Sequence, residues 1–310
     1  MSSPAPNLLV VLGPTASGKT ALGVRLAHAL GGEVISADSR QVYRGLDIGS
    51  GKDLAEYVVD GKLIPYYLID IVDLDIEFSL FDFQRRCFAV IEELHARGVL
   101  PVLVGGTGLY LSSILSRYRM AEVPENPELR AELAGLDDEA LRARLRSAKG
   151  SIHNTTDIVD RARTTRAIEI AEYTRAHPPE PAPAFRALVL GTRWDRPVLR
   201  DRIARRLRER LDVGLVEEVR GLLDRGVSPG RLHALGLEYR FVTDFLDGTI
   251  KSRNDLVQKL AATIAEFAKR QETWFRRMER QGTEIHWIDR ADFGKAMDLV
   301  RTHGLGGESR

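Results

Sequence analysis

Cysteine is nearly absent from this chain. Cys87 stands alone among 310 residues, so no disulfide can form within it. Its helical spacing with Val90, Ile91 and Leu94 marks it as a small core residue. The 7 histidines are scattered, and no Cys/His cluster has zinc-ligand spacing. An excess of one charge is also missing. With 45 basic and 44 acidic residues the formal net charge is +1, so nucleic-acid binding must come from local patches. The apolar run Leu8–Leu12 is far shorter than the roughly 20 residues of a membrane span. Met1 to Asn7 show no basic leader region. These absences predict a cytoplasmic protein. There is no internal repeat and no Asn-Lys-x-Asp guanine signature. What remains, 44% apolar and 29% charged residues, is ordinary for a globular chain with room for one large domain or two smaller ones.

What is present first is alternation. Leu8–Leu12, Glu33–Ser36, Tyr66–Ile71 and Leu100–Val104 read as buried strands, and residues 18–30 and 82–97 read as helices. The pattern predicts an α/β fold: a parallel sheet with helices on both faces, of the P-loop NTPase-like kind. Residues 116–175 are charged and helical without strand patterns, and Pro178, Pro179, Pro181 and Pro183 follow as a connector. Phe185–Gly191 reads as one more strand. Residues 1–115 and 185–310 are therefore expected to form the core, and 116–184 a small helical insertion. Further helices are predicted at about 196–212, 214–225 and 254–279, with no assignment past Trp287.

Between the first strand and the first helix stands Gly13-Pro14-Thr15-Ala16-Ser17-Gly18-Lys19-Thr20, the G-x-x-x-x-G-K-[ST] phosphate loop in its required setting. Its glycines let the backbone N–H groups wrap phosphate oxygens, and the helix that follows adds its positive end. Lys19 brings a point charge, and the Thr20 hydroxyl is a candidate ligand for Mg2+. Asp38 falls after the second strand, near the same sheet edge, and Gly105-Gly106-Thr107-Gly108 makes a second glycine turn there. Basic residues crowd three places. They are Arg193 to Arg210 on one helix, Arg161, Arg163 and Arg166 in the insertion, and Lys269, Arg270, Arg276, Arg277 and Arg280 near the end. Together they suit a shaped polyanion such as RNA. The first helix taken alone reads equally as a solvated face with ion pairs to Asp201 and Glu209.

Four segments carry a family likeness: GPTASGKT (13–20), ADSRQVYRGLDIGSGK (37–52), VLVGGTGLYLSSIL (102–115) and AKRQETWFR (268–276). Weaker matches are DRARTTRAIE (160–169) and GLVEEV (214–219). Across roughly 8–287 the chain resembles the tRNA dimethylallyltransferase, or tRNA isopentenyltransferase, family. The resemblance implies transfer of a dimethylallyl group from dimethylallyl pyrophosphate to N6 of the adenosine beside the tRNA anticodon. The phosphate loop, Gly13 to Thr20, would then hold pyrophosphate. An exocyclic adenine amine is a poor nucleophile and needs a carboxylate to accept its proton, a role that suits Asp38. Two other roles for Asp38 stay open, a partner of hydrated magnesium or a helix cap. Thr107 resembles the threonine that contacts the target base; a bond within its own turn is the other reading. Flipping the adenosine out must be offset by grip on the anticodon stem-loop. By resemblance the candidates are Asp38, Ser39, Arg40, Gln41, Thr107, Arg130, Arg163, Arg166, Lys269 and Arg270. Asp160 is expected to orient Arg163, and Trp274 and Phe275 to pack in the core. No membrane and no obligate protein partner is implied.

Three positions depart from the family. Its usual Gly-Tyr-basic-acid/Gln run is Gly236-Leu237-Glu238-Tyr239 here. His233 stands where many members carry arginine or glutamine near the pyrophosphate. Val159 precedes Asp160 in place of the usual Asn-Asp. Two enzymes with the same loop remain as alternatives: an adenylate isopentenyltransferase acting on a free nucleotide, and an ATP-dependent metabolite kinase. The insertion and basic patches argue against the first, and the 37–52 segment against the second. Arg163→Ala or Lys269→Ala is expected to weaken tRNA binding and flatten its salt dependence, measured by titration at several ionic strengths. Unchanged affinity in both would place the RNA surface elsewhere.

Overall fold

The computed structural model describes residues 5–116, 119–149, 160–178 and 181–305. Met1–Pro4, Val159 and Pro179, weighed above, lie outside them. The described residues form two compact units, divided after Ser116 and after Ala182.

The larger unit begins with β1 (Leu8–Leu12), α1 (Lys19–Leu30) and β2 (Glu33–Ala37). A hairpin of β3 (Val58–Val59) and β4 (Lys62–Leu63) precedes β5 (Tyr66–Tyr67), α2 (Leu80–Ala96), β6 (Pro101–Gly105) and α3 (Gly108–Leu115). The smaller unit holds α4 (Pro127–Ala134), α5 (Asp138–Lys149) and α6 (Arg161–Ala176). The chain re-enters the larger unit as β7 (Ala187–Arg193). It continues through α7 (Arg196–Asp212), α8 (Leu215–Asp224), α9 (Pro229–Leu235), α10 (Leu237–Leu246) and α11 (Arg253–Arg280). Strand β8 (His286–Asp289) and α12 (Phe293–Thr302) follow.

Six strands in the order β5-β2-β6-β1-β7-β8 make one parallel sheet. Strands β1, β2 and β6 are buried along their whole length, which explains the unbroken apolar run of β1. Leu9, Val11, Val34, Val102, Val104, Leu188 and Leu190 pack with α1 and α12. A second core joins α7 to α11 with Val42, Tyr43 and Leu46 from the loop after β2. Leu12 and Ala37 both pair with Gly105, so β1, β2 and β6 end at one level, while β7 runs two residues past Gly191, the partner of Leu12. The loops that follow them open on a common edge, where open α/β sheets place their ligands. Local chemistry sets the helix starts. Ser79 and Asp82 form a reciprocal capping box, which begins α2 at Leu80 rather than at 82.

Three expectations change. The strand foreseen at Tyr66–Ile71 stops at Tyr67, because Leu68 (φ 63°) and Asp70 (φ 55°) turn into the left-handed region. Residues past Trp287, left without assignment, finish the edge strand β8 and add α12, whose Ala296 and Val300 are buried against the sheet. Helices α9 and α10, not foreseen, fill the span between 225 and 254. Gly236, at a positive φ of 149° that favours glycine, breaks the chain between the two helices.

In the smaller unit Leu129, Leu133, Leu141, Leu145, Ala167 and Ile168 make a separate core. Beside it Glu169, 1% exposed, accepts from Arg130 Nε (2.7 Å) and Nη2 (3.0 Å), Arg166 Nη1 (2.9 Å) and the Asn126 N–H (3.0 Å). Burial by itself would raise this carboxyl, but the bonds from Arg130, Asn126 and Arg166 outweigh it and hold it at about 2.

Candidate active site

The loop from Gly13 to Thr20 crosses from β1 into α1. A side chain at Gly13 would collide with the Thr192 hydroxyl, so the loop can lie against β7 only with glycine there. Ser17 is buried and accepts from Thr192 Oγ1 at 2.7 Å. Gly18 caps α1 in the left-handed region (φ 84°), and Ala16 also has positive φ (60°). Such strain needs support. Arg202 Nε donates to the Ala16 carbonyl (2.9 Å), and Trp194 Nε1 to that of Ser17 (2.9 Å). Lys19 Nζ reaches the Pro14 carbonyl at 3.3 Å. Burial lowers its ammonium to about 8, Asp38 opposing and Arg206 assisting.

Gln271 of α11 bridges the two glycine turns. Its Oε1 accepts from the Thr15 N–H (2.9 Å), and its Nε2 donates to the Gly106 carbonyl (2.8 Å). Asp38 Oδ1 accepts from the Arg40 N–H (2.9 Å), which turns the chain after β2. Thr107 accepts from the Ser39 N–H (3.1 Å), so its hydroxyl holds the neighbouring loop rather than its own turn. Gln41 is buried between Ser36 (2.8 Å) and the Gly51 carbonyl (3.1 Å).

Two groups fasten the rest of that loop. Lys52, 2% exposed, donates to the Tyr43 carbonyl (2.9 Å), Asp47 (2.6 Å) and Asp70. Glu218 of α8 accepts the consecutive N–H groups of Asp47 (3.1 Å), Ile48 (2.6 Å) and Gly49 (3.1 Å), and the Tyr239 hydroxyl (2.8 Å). Tyr239 in turn accepts from the Ser50 N–H (3.1 Å). Burial, then Glu218, drives the phenol well above its ordinary pKa.

A cavity of about 460 Å³ opens here, lined by Lys19 and Thr20 at one end and by Asp38, Arg40, Gln41 and Thr107 at another. A second, of about 350 Å³, lies over Ala16, Gly18, Arg202 and Asp53. Lys19, Thr20, Arg206 and Arg210 line both. The structure thus brings the phosphate-loop residues and the Asp38/Thr107 pair to one space.

The arginine-rich helix was missed as part of this site. Arg202, Arg206 and Arg210 recur every four residues, so they share a face of α7, and that face meets the phosphate loop. Arg206 pairs with Asp53, and Arg202 stacks on Trp194 at 4.2 Å. Elsewhere on the helix Arg205 makes the ion pair to Glu209 (3.7 Å) that the other reading foresaw. The four-residue spacing was the available signal.

On α11, Phe275 is buried as expected, but Trp274 lines the cavity and donates to Ser112 Oγ (2.8 Å). The buried stripe of α11 runs through Leu260, Ile264, Ala268, Gln271 and Phe275. Phe267, Arg270 and Trp274 sit beside it at the cavity wall. Arg270 lies 5.8 Å from the Phe267 ring centroid, and Lys269 is exposed with Glu266 at 3.6 Å. Arg163 is exposed and paired with Asp160 (3.2 Å), which also caps α6. Arg130 and Arg166 turn onto Glu169 instead. His233 lines the cavity and pairs with Asp244 (3.0 Å).

A family model described as IPP transferase matches residues 41–278. The chain belongs to the IPP transferase family. A relative named tRNA dimethylallyltransferase 1, from Geotalea uraniireducens, is 54% identical over 301 residues, 96% of this chain and 98% of its own. Another, tRNA dimethylallyltransferase 2 of Syntrophotalea carbinolica, is 58% identical over 287 residues, 92% of this chain and 95% of its own. The full-length tRNA isopentenylpyrophosphate transferase of Bacillus halodurans superposes with a TM-score of 0.67 at 34% identity, over 96% of this chain and 95% of its own.

Gln271→Leu would leave the Thr15 N–H and the Gly106 carbonyl without their partners, at a cost of about 1–3 kcal/mol. Urea unfolding measures it; a loss below about 0.5 kcal/mol would show that the bridge does not hold the two turns.

Proposed function

We propose that this chain transfers the dimethylallyl group of dimethylallyl pyrophosphate to N6 of the adenosine adjacent to the tRNA anticodon, releasing pyrophosphate. One observation carries the reading: a single cavity joins phosphate-holding Lys19 and Thr20 to a carboxylate and a hydroxyl, Asp38 and Thr107. The names of relatives that match this chain nearly end to end support it. A tRNA substrate implies work in the cytoplasm, and among the described residues no helix is long and apolar enough to cross a membrane.

The diphosphate sits on the backbone N–H groups of Gly13 to Thr20, with Lys19 and Arg206 facing it. These cations stabilise the charge that grows on the leaving oxygen as the allylic C–O bond breaks. The N6 lone pair forms the new C–N bond, the electrons of the C–O bond leave with pyrophosphate, and Asp38 takes the N6 proton. Thr107 holds the Asp38–Gln41 loop through Ser39 and presents its hydroxyl to the base. Arg163, Lys269 and Arg270 are exposed cations for the RNA backbone. Arg130 and Arg166, bound to Glu169, shape the insertion and keep part of their surface for the same partner.

The donor set suits magnesium. No group of three or more His, Cys, Asp or Glu side chains among the described residues could hold a metal by itself, and Thr20 offers a hard oxygen at the start of α1. Magnesium that arrives with a diphosphate needs little more than that. Thr20 would hold it, and the ion would neutralise phosphate charge.

Labelled dimethylallyl pyrophosphate offered with unmodified tRNA, AMP or no acceptor tests the reading. Label is expected in tRNA and is lost in Asp38→Ala, with pyrophosphate binding nearly intact. Label in AMP alone would make the chain an adenylate isopentenyltransferase, and ATP consumption without transfer a kinase. Unchanged turnover in the Asp38 variant would remove it as the base. Proton linkage supplies a second check. Lys19 binds the anion while protonated, and in the free protein it loses that proton as pH rises through about 8. Pyrophosphate affinity is therefore expected to fall above pH 8, more steeply than in Lys19→Arg, which stays charged. Parallel profiles in the two proteins would sink this assignment.

A further inference from the structure

Arg210 is a cation with more hydrogen-bonding capacity than its neighbours fill. Its side chain is 12% exposed, and its Nε is buried without a hydrogen-bond partner among the described residues. Nη1 makes two long contacts, 3.4 Å to the Gly49 carbonyl and 3.5 Å to Glu238 Oε1. Both lie at the limit of useful geometry, whereas a guanidinium carries five N–H donors in a rigid fork. The other two arginines of this face are better tied, Arg202 to the Ala16 carbonyl at 2.9 Å and Arg206 to Asp53. A buried donor left unpaired is rare in folded proteins and asks for a partner that binds there.

Position says which partner. Arg210 lines both cavities, the one with Asp38 and Thr107 and the one over the phosphate loop. It is close enough to Lys19 to disfavour that ammonium's charge. The contacts to Glu238 and the Gly49 carbonyl leave Nε unbonded, while Arg210 lines the cavity over the phosphate loop. The wall behind is made to fit. A side chain at Gly51 (φ 67°) would collide with the guanidinium of Arg210 and meet that of Arg206, so the loop fastened by Glu218 and Lys52 leaves these arginines room.

We propose that Arg210 binds the diphosphate of the donor and that Glu238 is the counter-ion it leaves on doing so, so that the pair sets donor affinity. The proposal rests on the phosphate loop holding a donor diphosphate. A diphosphate offers pairs of anionic oxygens to which a planar guanidinium can donate two parallel bonds, a geometry that the carboxylate at 3.5 Å does not supply. Burial raises the Glu238 carboxyl, with Arg210 opposing, so on losing Arg210 it can take a proton from solvent and stay buried as a neutral acid.

Calorimetric titration of inorganic pyrophosphate with magnesium into four proteins tests it: the unsubstituted chain, Arg210→Met, Glu238→Gln and the double variant. Thermal melting of each guards against misfolding. Arg210→Met is expected to weaken binding about tenfold or more, a loss typical of a charge-assisted bond. Glu238→Gln is expected to tighten it about threefold, by removing the competing anion, and that gain should vanish in the double variant. Arg210→Met binding within twofold of the unsubstituted chain overturns the proposal. So does a Glu238→Gln gain that persists without Arg210, since Glu238 would then act on the anion directly. Failure of the unsubstituted chain to bind pyrophosphate at all overturns both this and the reading of the phosphate loop.

Discussion

Repulsion among cations is the constraint on which this site is built. Lys19, Arg202, Arg206 and Arg210 meet beneath one sheet edge, and burial and mutual charge depress Lys19, Arg202 and Arg210 alike. Such a cluster strengthens anion binding because it is desolvated, and would destabilise the fold for the same reason. The protein answers with anchors for each arginine. Arg202 has a backbone carbonyl and an indole face, Arg206 has Asp53, and Arg210 has Glu238 and the Gly49 carbonyl. The anchors come from different elements, so the phosphate loop, the 47–53 segment and α10 must all be in place before the charges are tolerated.

That requirement explains how heavily the loop after β2 is fastened. A stretch from Asp38 to Asp53 with little regular structure would be mobile if left alone. Here Gln41 and Lys52 each bond one of its backbone carbonyls, and the Glu218–Tyr239 pair takes four of its N–H groups. The Glu218 carboxylate does for residues 47–49 what a phosphate does for a phosphate loop: it gathers successive N–H groups around an anion. Asp38 is thereby held at one end of a rigid segment, and Gly51 backs Arg210 at the other. Gln271 ties the remaining two turns, so donor and acceptor sides of the cavity share one framework.

Much of this was legible beforehand. The phosphate loop follows from a motif that needs a particular residue at each place in a turn, and Asp38 and Thr107 stand out through the family resemblance. The parallel sheet follows from unbroken apolar runs. The failures share a cause. Tyr66–Ile71 reads as strand by composition, but Leu68 and Asp70 twist away because Asp70 serves Lys52. Trp274 fits the core stripe of α11 by spacing, yet sits a few tens of degrees off it and faces the cavity. Arg202, Arg206 and Arg210 look like any charged helix face until the partner of that face is known.

The sequence by itself determined the class of fold and where the phosphate-loop, Asp38 and Thr107 turns fall, since each depends on contacts within a few residues. Only the tertiary structure decided which cations join the phosphate loop, that Arg130 and Arg166 close on Glu169, and that Glu218 and Gln271 hold loops far away in the chain. Those roles arise where elements separated by up to 256 residues meet, as Gln271 meets Thr15, and the identity of a side chain does not say what it will face.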